Sequence, residues 1–186
     1  PLEGVYGRIR DVNDVIIGVT ESTLSQDEKD QLLGQAYFLR AWCYYNLVKW
    51  YGGVPIVTDV LEPIASSVVP RSSTKACIDF ICDDLNTAET LLARFTGSGQ
   101  WMSGENYGRV TSGAAVALLG RVRLLYASPM FNRTNDVTRW TQAYEDIKRS
   151  IGVLTAAGYG LANESNPGIN ASGWASMFSQ VPNTEG

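Results

Sequence analysis

QAYFLRAWCYYNLVKWYGGVPIV, residues 35–57, carries the last turns of a long helix and its stop signal in one run. The helix starts near Ser25 and Glu28, a hydroxyl and a carboxylate three residues apart that can satisfy two orphan amide donors as a capping box. Gly52 ends it by taking a left-handed conformation, and Pro55 cannot continue it. At about 100° per residue, Gln31, Gln35, Asn46 and Lys49 share one narrow stripe, while Tyr37, Ala41, Tyr44, Tyr45, Leu47, Val48 and Tyr51 cover most of the rest. A helix apolar nearly all round is expected at the centre of its fold. Arg40 lies opposite the polar stripe, so its guanidinium is expected to be partly withdrawn from water and to need a carboxylate or several carbonyls as partners. A buried ion pair of Arg40 with Asp84, structural rather than ligand-binding, is the expectation.

Working outward, Tyr6, Ile9, Val12 and Ile16 recur at helical spacing and predict a first helix over residues 3–17, ending near Gly18, with Asn13 in the same period. The short link to the long helix makes the two antiparallel neighbours. After Pro55 come β-branched residues and two further prolines, an irregular crossover that ends at Ser72 or Ser73, either of which can cap a third helix. That helix runs to about residue 92 on Cys77, Ile81, Leu85, Ala88 and Leu92. Residues 93–110 form a Gly- and Ser-rich loop that nevertheless holds Trp101, Met102 and Tyr107. A fourth helix over 111–126 places Gly113, Ala117 and Gly120 near one face, where a neighbouring backbone can approach closely. After a proline-containing break a fifth helix spans about 138–157 with Trp140, Ala143, Tyr144, Ile147, Ile151 and Leu154. The tail is rich in Asn, Ser and Gly, with Trp174 and Phe178 four apart. The fold class is therefore all-α, helical hairpins joined by long irregular loops. A degenerate tetratricopeptide signal supports this, with Leu119-Gly120 in the fourth helix and Ala143 with Ile147 in the fifth.

Composition narrows the chemistry. The 186 residues suit one domain or a large piece of one, and their hydrophobic share of 45% is ordinary for a globular protein. Fifteen basic against nineteen acidic residues give a net charge of −4, so nucleic acid is not an expected partner. Histidine is absent, which removes the commonest metal ligand and the usual general base. Cys43, Cys77 and Cys82 lie on helices without metal spacing and are expected to be small buried hydrophobes; no cofactor is expected. The acidic clusters Asp27-Glu28-Asp30, Asp83-Asp84 and Glu145-Asp146 fall at caps and solvent faces, not as a pair set across a cleft for glycoside hydrolysis.

Several blocks, in order, resemble the SusD/RagB family of outer-membrane nutrient-binding lipoproteins. They are Phe38-Leu39-Arg40-Ala41 with Tyr44, Leu47, Tyr51-Gly52 and Val54-Pro55, then Asp84-Leu85, then Gly108-Arg109-Val110-Thr111 with Ala114-Ala115 and Ala117-Leu118-Leu119, and last Ala127-Ser128-Pro129-Met130-Phe131-Asn132. The resemblance implies tetratricopeptide-like hairpins and a non-catalytic, lipid-anchored protein on the cell surface. Such a protein acts with a SusC-type TonB-dependent transporter to capture glycans or other nutrients. On that resemblance the signal peptide and lipidation cysteine are expected upstream of Pro1, and further chain is expected beyond Gly186. Residues 1–186 are thus read as the N-terminal helical part of a longer domain, with the lipid anchor outside it. Five Trp and nine Tyr suit saccharides, whose C–H faces stack on rings while polar groups bind hydroxyls. Trp101, Asn106 and Tyr107 are the loop candidates for ligand binding. The competing readings are a helical scaffold without its own ligand site and an α-helical glycoside hydrolase.

Overall fold

The computed structural model describes residues 2–59, 69–96, 106 and 108–160. Its described residues form five helices and no strand: α1 Leu2–Glu21, α2 Gln26–Tyr51, α3 Thr74–Thr96, α4 Ser112–Ala127 and α5 Val137–Ala156. The extensive contacts run along the chain, α1 with α2, α2 with α3, α3 with α4 and α4 with α5. Hairpins stacked in sequence order are the architecture of tetratricopeptide repeats, in which each unit is stabilised by its neighbours. No described helix is long and apolar enough to cross a membrane.

The first hairpin departs from expectation first at the end of α1. α1 continues through Gly18 to Glu21, because an exposed mid-helix glycine costs only about 1 kcal/mol and the extra turn is tied down. Thr20 Oγ1 donates to the Ile16 carbonyl at 2.6 Å, and Lys29 Nζ donates to the Thr20 carbonyl at 3.0 Å. Its buried line is Ile9, Asn13 and Ile16, with Val12 only half-buried.

α2 opens with the expected box: the Ser25 N–H donates to the Glu28 carboxylate at 3.0 Å and the Ser25 hydroxyl oxygen accepts from the Glu28 N–H. It closes at Gly52, whose φ is +67° and whose N–H reaches the Val48 carbonyl at 2.9 Å. Flanked by α1 and α3, it is central on two sides only. Leu39, Trp42 and Trp50 face out on the third, Trp50 at 82% exposure, so the helix is not buried all round.

α3 is capped by Ser73, whose Oγ accepts from the Ala76 N–H at 3.1 Å. It runs a turn beyond residue 92, since Phe95 packs with Leu92 and Val110 into a small cluster of its own. Gly34 of α2 lies directly against it. A Cβ there would fall 2.6 Å from Leu92 Cγ, so the two helices approach more closely than a side chain would allow.

In the second hairpin, Gly113 and Gly120 of α4 meet α5, with would-be Cβ positions 3.1 Å from Leu154 and from Ile147. Ala117, expected on that face, is exposed. Ser150 Oγ donates to the Val116 carbonyl at 2.9 Å across the same contact. α5 buries Ala143 and Ser150 against α4, whereas Trp140, Tyr144 and Ile151 lie open.

Candidate functional site

The largest polar cluster in the core is built on Arg40. Its Nε and Nη2 donate to the two Asp84 oxygens at 2.8 Å each, and Nη1 donates to Asn13 Oδ1 at 3.0 Å. Tyr37 and Phe80 present ring faces to the guanidinium at 5.1 and 5.0 Å. Asn13 Nδ2 in turn donates to the Val57 carbonyl at 2.9 Å, and the Val57 N–H donates to the Tyr44 hydroxyl at 2.8 Å. One connected network thus fixes α1, α2, α3 and the segment after α2. Burial pushes the Tyr44 phenol up to about 12 and raises that of Tyr6, which donates to the Pro55 carbonyl at 2.9 Å. Both stay protonated as donors.

Burial also lifts the Asp84 carboxyl, and Arg40 opposes that rise. Arg40 is held above its usual value by the same pairing, which outweighs its own desolvation. With its polar atoms engaged by one another and by backbone carbonyls, this cluster positions helices. Asn13 and Tyr44 belong to it unanticipated, although a polar residue inside the period Tyr6, Ile9, Asn13, Ile16 was the available signal.

Several other carboxylates are held in ion pairs or caps. Asp146 meets Arg123 at 3.0 Å, Glu89 meets Arg149 at 2.7 Å, Asp79 meets Lys75 at 2.6 Å, and Asp27 and Asp30 both meet Arg94. Glu28 and Asp136 cap α2 and α5, and their hydrogen bonds lower both carboxyls. Among the described residues no group of three or more His, Cys, Asp or Glu could hold a metal. The Cys82 thiol is pushed up to about 12 by burial, Cys43 is raised by the same cause, and Cys77 hydrogen-bonds the Val54 backbone at 3.4 Å. A thiol raised this far by burial, as at Cys82, is a poor nucleophile.

Trp101 and Tyr107 lie outside the described residues. Asn106 is half-buried, and its carbonyl accepts the Arg109 N–H at 3.2 Å across Gly108, whose φ is +86°. Arg109 is exposed and lines an open groove of about 260 Å³ between α1 and α2, whose walls include Val12, Val15, Leu32 and Leu39. The candidate loop therefore re-enters the fold beside an apolar groove that ends at a guanidinium and includes the amide of Gln35. An apolar wall with a few polar groups at its rim can take the C–H face of a sugar and its hydroxyls together. Nothing local in the sequence marks Arg109 as a contact, because its place beside α1 and α2 depends on a fold contact distant in sequence.

A family model described as "Starch-binding associating with outer membrane" matches residues 2–124. A SusD-like protein of Bacteroides ovatus is 27% identical over 124 residues, 65% of this chain and 21% of that protein. Among solved structures, a SusD-like protein of Bacteroides fragilis superposes with a TM-score of 0.70 at 34% identity, over 89% of this chain and 28% of its own. A further structure, solved with xylogluco-oligosaccharide, has a TM-score of 0.68 at 27% identity over 86% of this chain and 30% of its own. The chain thus spans less than a third of the length of each of these relatives.

Proposed function

This chain belongs to the SusD-like family, and from that membership we infer a part in non-catalytic capture of nutrient glycans at the cell surface. In this reading the protein is anchored by lipid at the outer membrane and hands its cargo to a SusC-type TonB-dependent transporter. The observation that carries the glycan reading is the likeness to a structure solved with xylogluco-oligosaccharide, together with the starch-binding description of the matching family. The five helices serve as a rigid scaffold, and the loop holding Trp101, Asn106 and Tyr107 supplies the contacts. A sugar ring stacks on an indole or phenol face, and the Asn106 amide, with one acceptor and two donor hydrogens, pairs with hydroxyls at the ring edge. No bond in the sugar is broken, so a pair of carboxylates is not required.

A carbohydrate array probed with the protein at its natural length tests this. Binding of an oligosaccharide class, weakened at least about tenfold by W101A, is the expected result, a loss of about 1.4 kcal/mol. An array without any bound saccharide contradicts it.

The transporter partnership has its own support in the open side of α2. Trp42, Trp50 and Leu39 are 42%, 82% and 46% exposed there, and exposed large apolar groups on one face suit a protein neighbour. Co-purification of a barrel transporter with the unchanged protein, reduced by W42E/W50E, is the expected outcome; equal recovery with both would remove this surface from the account.

A further inference from the structure

We propose that the turn between α4 and α5 forms a second saccharide subsite, one that takes a sugar unit bearing an anionic group, either a carboxylate or a sulfate ester. This rests on the glycan reading above and adds to it a place and a chemical class. A cavity of about 390 Å³ opens at the turn, lined by Ala127, Pro129, Asn132, Arg133, Asn135 and Trp140, a volume within the range of small-molecule sites, about 300–1,000 Å³. The Trp140 indole, in the first turn of α5, is 38% exposed and offers ring surface to the C–H face of a pyranose. The walls are fixed by the turn's own bonds. The Phe131 and Asn132 N–H groups both donate to the Ser128 carbonyl, at 3.0 and 2.8 Å. Asn132 is buried, its Nδ2 donating to the Asp136 carbonyl at 2.9 Å and its Oδ1 accepting the Asp136 N–H at 2.8 Å. Asn135 holds a φ of +50°, which asparagine tolerates better than most residues, and its N–H donates to the Asn132 carbonyl at 3.0 Å. From α5, Arg139 Nη1 donates to the Phe131 carbonyl at 2.8 Å. A turn held in this way loses little freedom when a ligand binds.

The groups left over decide the class of sugar. A hydroxyl both donates and accepts, so a site for a neutral sugar has to supply acceptors as well as donors. At this turn the uncommitted groups are mostly donors. Arg133 is exposed, and among the described residues its side chain has no hydrogen bond, ion pair or ring contact; a guanidinium brings N–H donors and no acceptor. The Asn135 side-chain amide is equally uncommitted among the described residues. No acidic residue stands among the lining residues, and the neighbouring Asp136 directs its carboxylate to Thr138 and Arg139 instead. The planar fork of an arginine matches a pair of carboxylate or sulfate oxygens, and such charge-assisted bonds are roughly twice as strong as those between neutral groups. An indole for the ring and a free guanidinium for its acidic substituent thus lie in one cavity.

Isothermal titration of the protein at its natural length tests the subsite, with three probes: oligogalacturonate, the same oligomer fully methyl-esterified, and a sulfated galactan oligomer. Binding of one or both acidic oligomers is expected, and which of them binds separates carboxylate from sulfate as the group recognised. Affinity is expected to fall at least about tenfold in R133Q and in W140A, and a bound oligogalacturonate is expected to lose as much on esterification. R133Q changes an exposed side chain, so an unaltered thermal midpoint in that variant shows that the fold is intact. Binding of neither acidic oligomer, equal binding of ester and free acid, or unchanged affinity in both R133Q and W140A overturns the proposal. A saccharide whose binding falls in W101A but not in R133Q or W140A overturns the subsite and leaves the glycan reading standing, whereas a protein that binds no saccharide at all overturns both.

Discussion

Arg40 meets Asp84 through two hydrogen bonds and Asn13 through a third, in a site where both charged side chains are under a tenth exposed. The carboxyl lies above its usual range because burial outweighs the guanidinium beside it. A carboxyl raised on folding binds its proton more tightly in the folded chain. Ionising it therefore subtracts stability as the pH rises through the carboxylate range, and the subtraction disappears below the unfolded value. The pair is thus a cost that the fold tolerates, and its removal as a pair differs from its rupture. R40A is expected to lose about 3–5 kcal/mol in denaturant unfolding at pH 7, with the deficit narrowing towards pH 4 as the stranded Asp84 takes up a proton. R40M/D84L is expected to recover most of that loss, short of about 1–3 kcal/mol for the acceptor left unpaired on Asn13. Equal losses in the single and double variants, independent of pH, would mean that packing rather than charge sets the effect. The need for a partner at Arg40 was legible from its position on the helix, whereas Asp84, read with Asp83 as part of a solvent face, is instead buried beside Arg40. The third member was visible only as a polar residue out of place.

At the scale of the elements, three glycines separate what a helix needs from what its neighbour needs. A Cβ at Gly53 would fall 2.1 Å from the Ser72 carbonyl, and one at Gly34 would fall 2.6 Å from Leu92 Cγ, whereas Gly18 has open space around it. G53A and G34A are expected to lose about 1–3 kcal/mol or more by overpacking. G18A is expected to gain about 0.5–1 kcal/mol, since alanine loses less backbone freedom in a helix. Thermal unfolding of the three variants checks the signs; a stabilised G53A would contradict the close approach of the segment after α2 to the start of α3. Helix existence, both ends of α2 and the glycine face of α4 were legible in the sequence because period, caps and small residues are local signals. The continuation of α1 through Gly18 was not, because the bonds that hold it come from Thr20 and from Lys29 of the next helix. Gly34 and Gly53 were equally silent, since their constraint lies in residues 58 and 19 positions further on.

For the whole molecule, the stack of hairpins explains why so much of the chain is architecture. Arg40, Asp84 and Asn13 are tied to one another, Glu28 and Asp136 serve as caps, and Asp146 and Glu89 serve as ion pairs, so the described residues form a frame on which loops are displayed. Binding sites on loops held by rigid scaffolds are a common division of labour, and the family to which the chain belongs is consistent with it. The loop candidates were legible only as aromatics in a polar segment. Aperiodic sequence carries no information on which way such rings face, so Asn106 and Arg109 are located by the fold and not by pattern. The central claim is that this protein binds saccharide without cleaving it. Isothermal titration of the natural-length protein with an oligosaccharide selected by array, followed by chromatography of the recovered sugar, tests both halves. Saturable binding, at least about tenfold weaker in W101A, with the sugar recovered intact, is the predicted result. Binding unaffected by W101A, or release of shorter sugars that stops in D84N, would contradict it.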